Sequence, residues 1–267
     1  MDSVFASARW RSVRPTSDIP REAMVRVDHR PWPVPGRPWV LRQRWFDLMF
    51  AHWPAPVDRL RPLVPAPLKI QEFAGSSWVG IVPFRIEGLS PRGVPDLPNL
   101  AAFPELNLRL YVEAEGKPGV FFISLDAASA SAVAGARLAF NLPYFHAQMS
   151  ATLAAGAVRF QSVRRRDASV RFEADYAPAG ETFEPALGSL EHFLTERYCL
   201  YARRRRGGVK RMEIHHAPWR LRSARGQILE NTLASRQGVF MDERARPLLH
   251  VAEPQDVIAW LPQPLGG

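Results

Sequence analysis

The hydrophobic pattern is clearest between Pro104 and Met149, where the first segment alternates. Leu106, Leu108, Leu110 and Val112 take every second position, with Glu105, Asn107, Arg109, Tyr111 and Glu113 between them. Successive strand side chains project to opposite faces. The pattern therefore predicts a strand with one face for a core and another carrying a carboxylate, an amide, a guanidinium and a phenol in a row. Glu115-Gly116-Lys117-Pro118-Gly119 reads as a turn, and Val120 to Leu125, apolar almost throughout, as the second strand of a hairpin. A second strand apolar on both faces predicts a hairpin covered on both sides, where buried charge must be paired or serve a ligand. The small-residue run from Ala127 to Phe140 predicts a short helix leading through Arg137 into Leu142-Pro143-Tyr144-Phe145-His146.

Elsewhere the pattern predicts many strands and few helices. Residues 1 to about 36, punctuated by Pro15, Pro20, Pro31, Pro33 and Pro35, read as a loosely ordered arm, and 37–267 as a single domain. Strands are predicted over Trp39 to Phe50, Lys69 to Phe73 and Trp78 to Ile86, with a short helix from Asp58 to Leu63. Glu87 to Phe103 reads as a long loop. Ser150 to Tyr176 reads as two strands joined at Arg165 to Asp167. Ser189 can cap a helix from Leu190 to about Arg203, with Leu190, Phe193, Leu194, Arg197, Tyr198 and Tyr201 at helical spacing. On it Arg197 and Tyr201 share a face, explained by core packing with a polar tip. Short strands follow at Arg211 to His216, Gln227 to Leu233 and Leu248 to Val251. The fold class is α+β, mainly β.

The bulk numbers exclude several classes. No stretch of the 267 residues approaches the roughly 20 apolar residues that span a bilayer, and the N-terminus lacks an apolar secretory core, which predicts a cytoplasmic protein without a membrane partner. The only cysteine, Cys199, rules out an intramolecular disulfide and reads as a buried, inert thiol. The net charge is +9 and the pI near 10.5, but the dense runs, Arg164 to Arg166 and Arg203 to Arg206, fall at expected loops or element ends and read as solvated. With no helix-turn-helix, zinc-finger or RNP pattern, nucleic acid is an unlikely partner.

No metal is predicted, since His215 and His216 point to opposite faces of a strand and no other ligand spacing occurs. No phosphate-cradling glycine loop or nucleophile elbow is present, and no cofactor is predicted. That leaves the polar row. Arg109 suits a carboxylate, Glu105 an acid or base, and Asn107 and Tyr111 complete the lining. His52 and His146 flank aromatic or proline-rich breaks and read as structural histidines or as further pocket residues.

The segments LMFAHWPAPVDRLRPLVPAPL, FPELNLRLYV, GKPGVFFISLDA, ARLAFNLPY, FLTERYCLYA and HHAPWRL together resemble the YqjF-like group of bacterial proteins, over most of Trp39 to Pro262. That group is related in fold to acetoacetate decarboxylase, so the resemblance implies a β-rich, cone-like antiparallel barrel around a buried pocket. In the decarboxylase a Gly-Arg pair precedes Pro-Lys-Lys, and the first lysine forms a Schiff base with the substrate. The matching segment here keeps Arg137 and Pro143 but has Tyr144 and Phe145 in place of the lysines, while the decarboxylase's catalytic glutamate corresponds to Glu105. Neither replacement can form an imine. The chain has three lysines, Lys69, Lys117 and Lys210, and only Lys69 falls within a predicted core strand. The resemblance thus implies the fold without Schiff-base decarboxylation.

The expected site combines Glu105 as acid/base, Arg109 or Arg137 as carboxylate clamp and Tyr144 as proton donor, with Asn107, Tyr111, His52 and His146 around them. Two functions fit it: a lyase- or isomerase-type enzyme on small oxo acids, or a non-catalytic binder or sensor of a small acidic or carbonyl metabolite. The sequence leaves a homo-oligomer open.

Overall fold

Pairing between strands decides this fold. The computed structural model describes residues 15–95, 102–204, 207–242 and 244–266. Its strands are β1 (Leu41–Phe46), β2 (Met49–Ala55), β3 (Lys69–Ile70), β4 (Ser77–Pro91), β5 (Ala102–Ala114), β6 (Lys117–Ala127), β7 (Tyr144–Ala154) and β8 (Ala157–Arg164). They continue as β9 (Arg171–Phe183), β10 (Cys199–Arg203), β11 (Val209–His215), β12 (Leu221–Asn231), β13 (Leu248–Ala252), β14 (Gln255–Ala259) and β15 (Gln263–Pro264). The helices are short: α1 (Ile19–Ala23), α2 (Val57–Leu60), α3 (Ala130–Phe140), α4 (Leu190–Thr195) and α5 (Leu233–Arg236). The fold is mainly β, as the alternation implied.

The pairings close two circuits that share a wall. One runs β4-β5-β6-β10-β11-β14-β1 and back to β4. The other runs β4-β5-β6-β7-β8-β9-β12-β13-β2 and back to β4. All pairings are antiparallel except β10–β6 and β6–β7. In the shared wall, β5 turns Leu106, Leu108, Leu110 and Val112 into the larger core with Val79, Ile81, Phe160 and Phe172, all buried. Its polar row faces the other circuit. The predicted two-sided cover of the hairpin is therefore present.

Several boundaries differ from the pattern reading. Trp39 to Phe50 is two strands, broken where Asp47 takes φ 52° before Leu48. The β5–β6 turn shrinks to Glu115 and Gly116, at φ 53° and 68°, because Ala114 already pairs with Lys117. A like pair, Ala155 and Gly156, divides the first strand predicted after Ser150 into β7 and β8. β4 runs through to Pro91, shortening the predicted loop, part of which (96–101) lies outside the described residues.

The largest difference is the helix predicted to reach Arg203, which stops at Thr195. Side chains occupy its last carbonyls: Thr195 Oγ1 donates to Glu191 O at 2.8 Å, Arg197 Nε to Phe193 O at 2.6 Å, and Trp219 Nε1 to Thr195 O at 2.9 Å. Residues 199–203 become β10, parallel to β6. There a Cβ on Gly119 would lie 2.6 Å from Cys199 O, so only glycine admits the two backbones. An interior strand that is apolar on both faces has no period to separate it from a buried helix. Cys199 itself is fully buried, and its thiol is pushed up to about 12 by that burial.

The arginine runs divide on inspection. Arg164, expected in solvent, is buried at the end of β8, and its Nε and Nη2 donate to the two carboxylate oxygens of Asp126 at 2.8 Å each. Arg203 and Arg204 are exposed. The rest of that run lies outside the described residues.

Candidate functional site

Register builds the site. Facing residues of an antiparallel sheet project to the same side, so β4, β5 and β6 stack tiers into the smaller circuit. Ile86 lies opposite Phe103, Phe84 opposite Glu105, Val82 opposite Asn107, and Gly80 opposite Arg109. From β6, Leu125 joins the Asn107 tier and Phe122 the Arg109 tier, because a bulge skips Ile123. These residues, Gly80 excepted, line a cavity of about 430 Å³. Trp45 of β1, Phe50 of β2, Met212 of β11, Ala259 of β14 and Trp219 complete much of its wall.

Helix α3 roofs the cavity with a stripe of small residues. Ser129 caps it by accepting from the Ala132 N–H at 3.2 Å, and left-handed Asn141 ends it. Ala132, Gly135, Ala136 and Ala139, at i, i+3, i+4 and i+7, face inward. Arg137 falls off that stripe. It is exposed, its Nε donates to Tyr144 O at 2.6 Å, and it does not line the cavity, so it cannot be the clamp the sequence suggested. It anchors the backbone of Tyr144 instead. His146 is likewise absent from the lining, since β7 leaves the cavity after Tyr144 to pair with β8.

Glu105 and Tyr144 meet. The Tyr144 hydroxyl donates to Glu105 Oε2 at 2.9 Å, and Glu105 is 3% exposed. Burial pushes the Glu105 carboxyl up to about 8 against hydrogen bonds from Tyr144 and Asn107, with the Asp126 charge adding to the rise. At neutral pH Glu105 therefore holds its proton. Burial, followed by Glu105 itself, drives the Tyr144 hydroxyl well above its ordinary value.

The opposite end holds two guanidiniums. Arg109 donates through Nε to Tyr111 Oη at 3.2 Å and through a terminal nitrogen to Leu194 O at 3.3 Å. Its guanidinium carbon sits 5.1 Å from the Phe50 ring centre. Arg197, delivered to the lining by the early end of α4, donates to Phe193 O and to Gln71 Oε1. Burial brings it down to about 10, so it stays charged at neutral pH. Arg30, Arg44 and Arg164, buried elsewhere, each meet a carboxylate. Among the described residues, neither Arg109 nor Arg197 does. Two charges without carboxylate partners among the described residues therefore face one cavity.

His52 and Tyr111 stand behind this end rather than on its surface. His52 Nε2 lies 2.6 Å from Tyr111 Oη. An arginine can only donate, so Tyr111 Oη accepts from Arg109 and gives its own proton to His52 Nε2. Burial and then the Arg109 charge hold His52 well below its usual value, consistent with a neutral ring. His52 positions Tyr111, and Tyr111 positions Arg109.

Gly80 makes this crossing possible. A Cβ there would lie 2.9 Å from Tyr111 Oη and 3.2 Å from Arg109 Cγ. Gly80→Ala is expected to cost about 1–3 kcal/mol through overpacking, measured by urea unfolding, and to shift the His52 ring ¹⁵N resonances. Unchanged resonances would show that Tyr111 accommodates the methyl group without losing His52.

Sequence reasoning missed Gly80 and assigned Arg197 to core packing. A lone glycine inside a strand was the available signal for the first. Also unassigned were Trp45, whose buried Nε1 has no partner among the described residues, and His216, held near 3 chiefly by burial. Asn107 lines the cavity, and its buried Oδ1 has no hydrogen-bond partner among the described residues. None of the three lysines lines it. Lys69 is exposed, and Lys117 pairs with Glu213 at 2.7 Å. Among the described residues no cluster of three or more His, Cys, Asp or Glu is placed to hold a metal, and no helix is long and apolar enough to cross a membrane.

Comparison with known proteins agrees with this architecture. Among solved structures, the enduracididine biosynthesis enzyme MppR complexed with pyruvate superposes with a TM-score of 0.62 at 12% identity, covering 88% of this chain and 93% of that one. Acetoacetate decarboxylase from Legionella pneumophila superposes with a TM-score of 0.57 at 13% identity, covering 90% and 94%. At such identities the likeness is one of fold. In sequence, the uncharacterized protein YqjF of Bacillus subtilis (strain 168) is 43% identical over 227 residues, which cover 85% of this chain and 93% of the relative. Residues 42–256 match the family DUF2071, described as an uncharacterized conserved protein. The chain belongs to this family, on a fold shared with acetoacetate decarboxylase.

Proposed function

We propose that the protein is an acid/base enzyme acting on a small acidic carbonyl compound of the oxo-acid class, without a covalent lysine intermediate. The observation that carries this reading is the polarity of one cavity. It has two guanidiniums without carboxylate partners at one end and a protonated carboxylic acid bonded to a phenol further along. Arg109 and Arg197 grip the substrate carboxylate, and Asn107 lines the wall between them and Glu105. Glu105, holding its proton, donates to the substrate carbonyl oxygen and polarises it, and Tyr144 holds the other carboxyl oxygen of Glu105. Binding of pyruvate by MppR, which has the same fold, supports the substrate class. With tyrosine and phenylalanine at 144 and 145 and no lysine in the lining, the chemistry is proton transfer, with no imine step.

Thermal shift with 2- and 3-oxo acids, hydroxy acids and neutral analogues tests it. An acid at about 100 times its Kd stabilises by roughly 2.7 kcal/mol, which moves the midpoint of a domain this size by several degrees. The shift is expected in wild type and Glu105→Gln, absent in Arg109→Ala, and confined to acids. Turnover is expected in wild type and lost in Glu105→Gln. Equal shifts with neutral analogues would remove the anion site from the proposal. Acid binding with the ligand recovered unchanged after long incubation would make the protein a binder or sensor instead.

A further inference from the structure

The charged groups of the cavity lie toward one end. The lining positions of β5 run Arg109, Asn107, Glu105, Phe103, a stretch of about 20 Å at roughly 3.3 Å per residue. The Arg109 guanidinium carbon lies 5.1 Å from the Phe50 ring centre and 5.5 Å from that of Tyr111, and Asn107 lines the wall between it and Glu105. Beyond Glu105 the lining is mostly apolar, with Phe103, Ile86, Leu89, Leu41 and Pro91, and its polar members are the uncharged Gln43 and Ser131. The roof above is the small-residue stripe of α3, and a Cβ built on Gly135 would meet nothing within 4 Å. The order along the wall is carboxylate clamp, proton donor, apolar chamber.

Volume sets the scale. A cavity of about 430 Å³ equals on the order of a dozen waters at about 30 Å³ each. A three- or four-carbon acid gripped at Arg109 and Arg197 would leave most of that space to water against aromatic and aliphatic walls. Apolar surface left wet forfeits roughly 25 cal/mol per Å².

Resting on the oxo-acid reading above, we infer that the substrate is a 2-oxo acid with an extended aliphatic or aromatic body, which fills the chamber between Glu105 and the α3 roof. Pyruvate and its near homologues are then poor ligands, and the side chains facing Gly135 set the length limit. In order of approach, the substrate presents its carboxylate to the arginines, its carbonyl to Glu105 and Tyr144, and its tail to Phe103, Ile86 and Leu89.

The test is isothermal titration of wild type, Gly135→Leu and Arg109→Ala with pyruvate, 2-oxohexanoate, 2-oxooctanoate, 2-oxodecanoate and phenylpyruvate, alongside the alcohols of matching length. Wild type is expected to bind about fourfold more tightly per added methylene, equivalent to roughly 0.8 kcal/mol each, until the chamber is full. Gly135→Leu replaces a helix-interior glycine with a strong helix former, so it folds without penalty. It is expected to leave 2-oxohexanoate binding within twofold of wild type while weakening 2-oxodecanoate at least tenfold. Equal affinity across the acids in wild type, with Arg109→Ala still abolishing binding, would overturn this inference and leave the oxo-acid reading standing. Alcohols binding as tightly as acids would overturn that reading itself. An unchanged chain-length optimum in Gly135→Leu would place the tail elsewhere and also end the proposal.

Discussion

Glu105→Gln is expected to become more stable than the wild type as the pH rises from about 4.5 to about 8, by up to roughly 5 kcal/mol. In the folded chain Glu105 keeps its proton to about pH 8, whereas the unfolded chain releases it near 4.5. The wild type's stability from this group is therefore complete below pH 4.5 and is lost progressively as the pH climbs through 8. Glutamine occupies the same volume, still accepts from Tyr144, and never ionises. Denaturant unfolding of the two proteins at pH 4 and pH 8.5 reads the effect directly. Parallel stabilities at both values would mean that water reaches Glu105 and the acid ionises as it would in solution. The same titration is expected to appear in catalysis as a loss of turnover on the alkaline side, near pH 8. A residue that weakens the fold where the enzyme would work, and whose removal strengthens it, carries the signature of a functional site.

Arg164→Met is expected to cost about 3–5 kcal/mol, the largest loss of stability from a single surface-run arginine. Arg164 and Asp126 are both almost wholly buried and share three hydrogen bonds, and the guanidinium carbon lies 3.7 Å from the Phe145 ring centre. Removing the arginine strands a buried carboxylate that no other cation reaches at salt-bridge distance among the described residues. The double replacement of Arg164 by Met and Asp126 by Leu is expected to recover most of the loss, because two uncharged groups need no counter-charge. Midpoints of urea unfolding for the wild type, both single variants and the double variant form the cycle. A loss below about 1 kcal/mol in Arg164→Met would show that the pair is solvated, as the arginine run by itself suggested.

Legibility in the sequence followed how local each cause was. β5 was readable because its two faces meet different environments, a core and a polar cavity, and alternation records that directly. α3 was readable from its run of small residues. Glu105, Asn107 and Arg109 could be singled out because three polar groups on one face of a covered strand require a reason. The boundary of α4 could not be read. Its apolar spacing fits a helix, and what ends it is the competition of Arg197, Thr195 and Trp219 for its last carbonyls, one of them from a residue more than twenty positions away. The same ending moves Arg197 from a helix face into the cavity. Arg137 went astray for the complementary reason: the small stripe of α3 lines the cavity, which turns the arginine out to the backbone of Tyr144.

By itself, then, the sequence determined the mainly β class, the two faces of the central strand and the candidate acid on one of them. These are properties of residue type and period, and they need no knowledge of distant neighbours. Tertiary structure alone decided that a second arginine joins Arg109, that Arg137 and His146 stay out, that Gly80 gives passage to Tyr111, and that Glu105 keeps its proton at neutral pH. Each of these depends on which segments, far apart in the chain, close around the same volume, and on how completely that closure excludes water from the charges inside it.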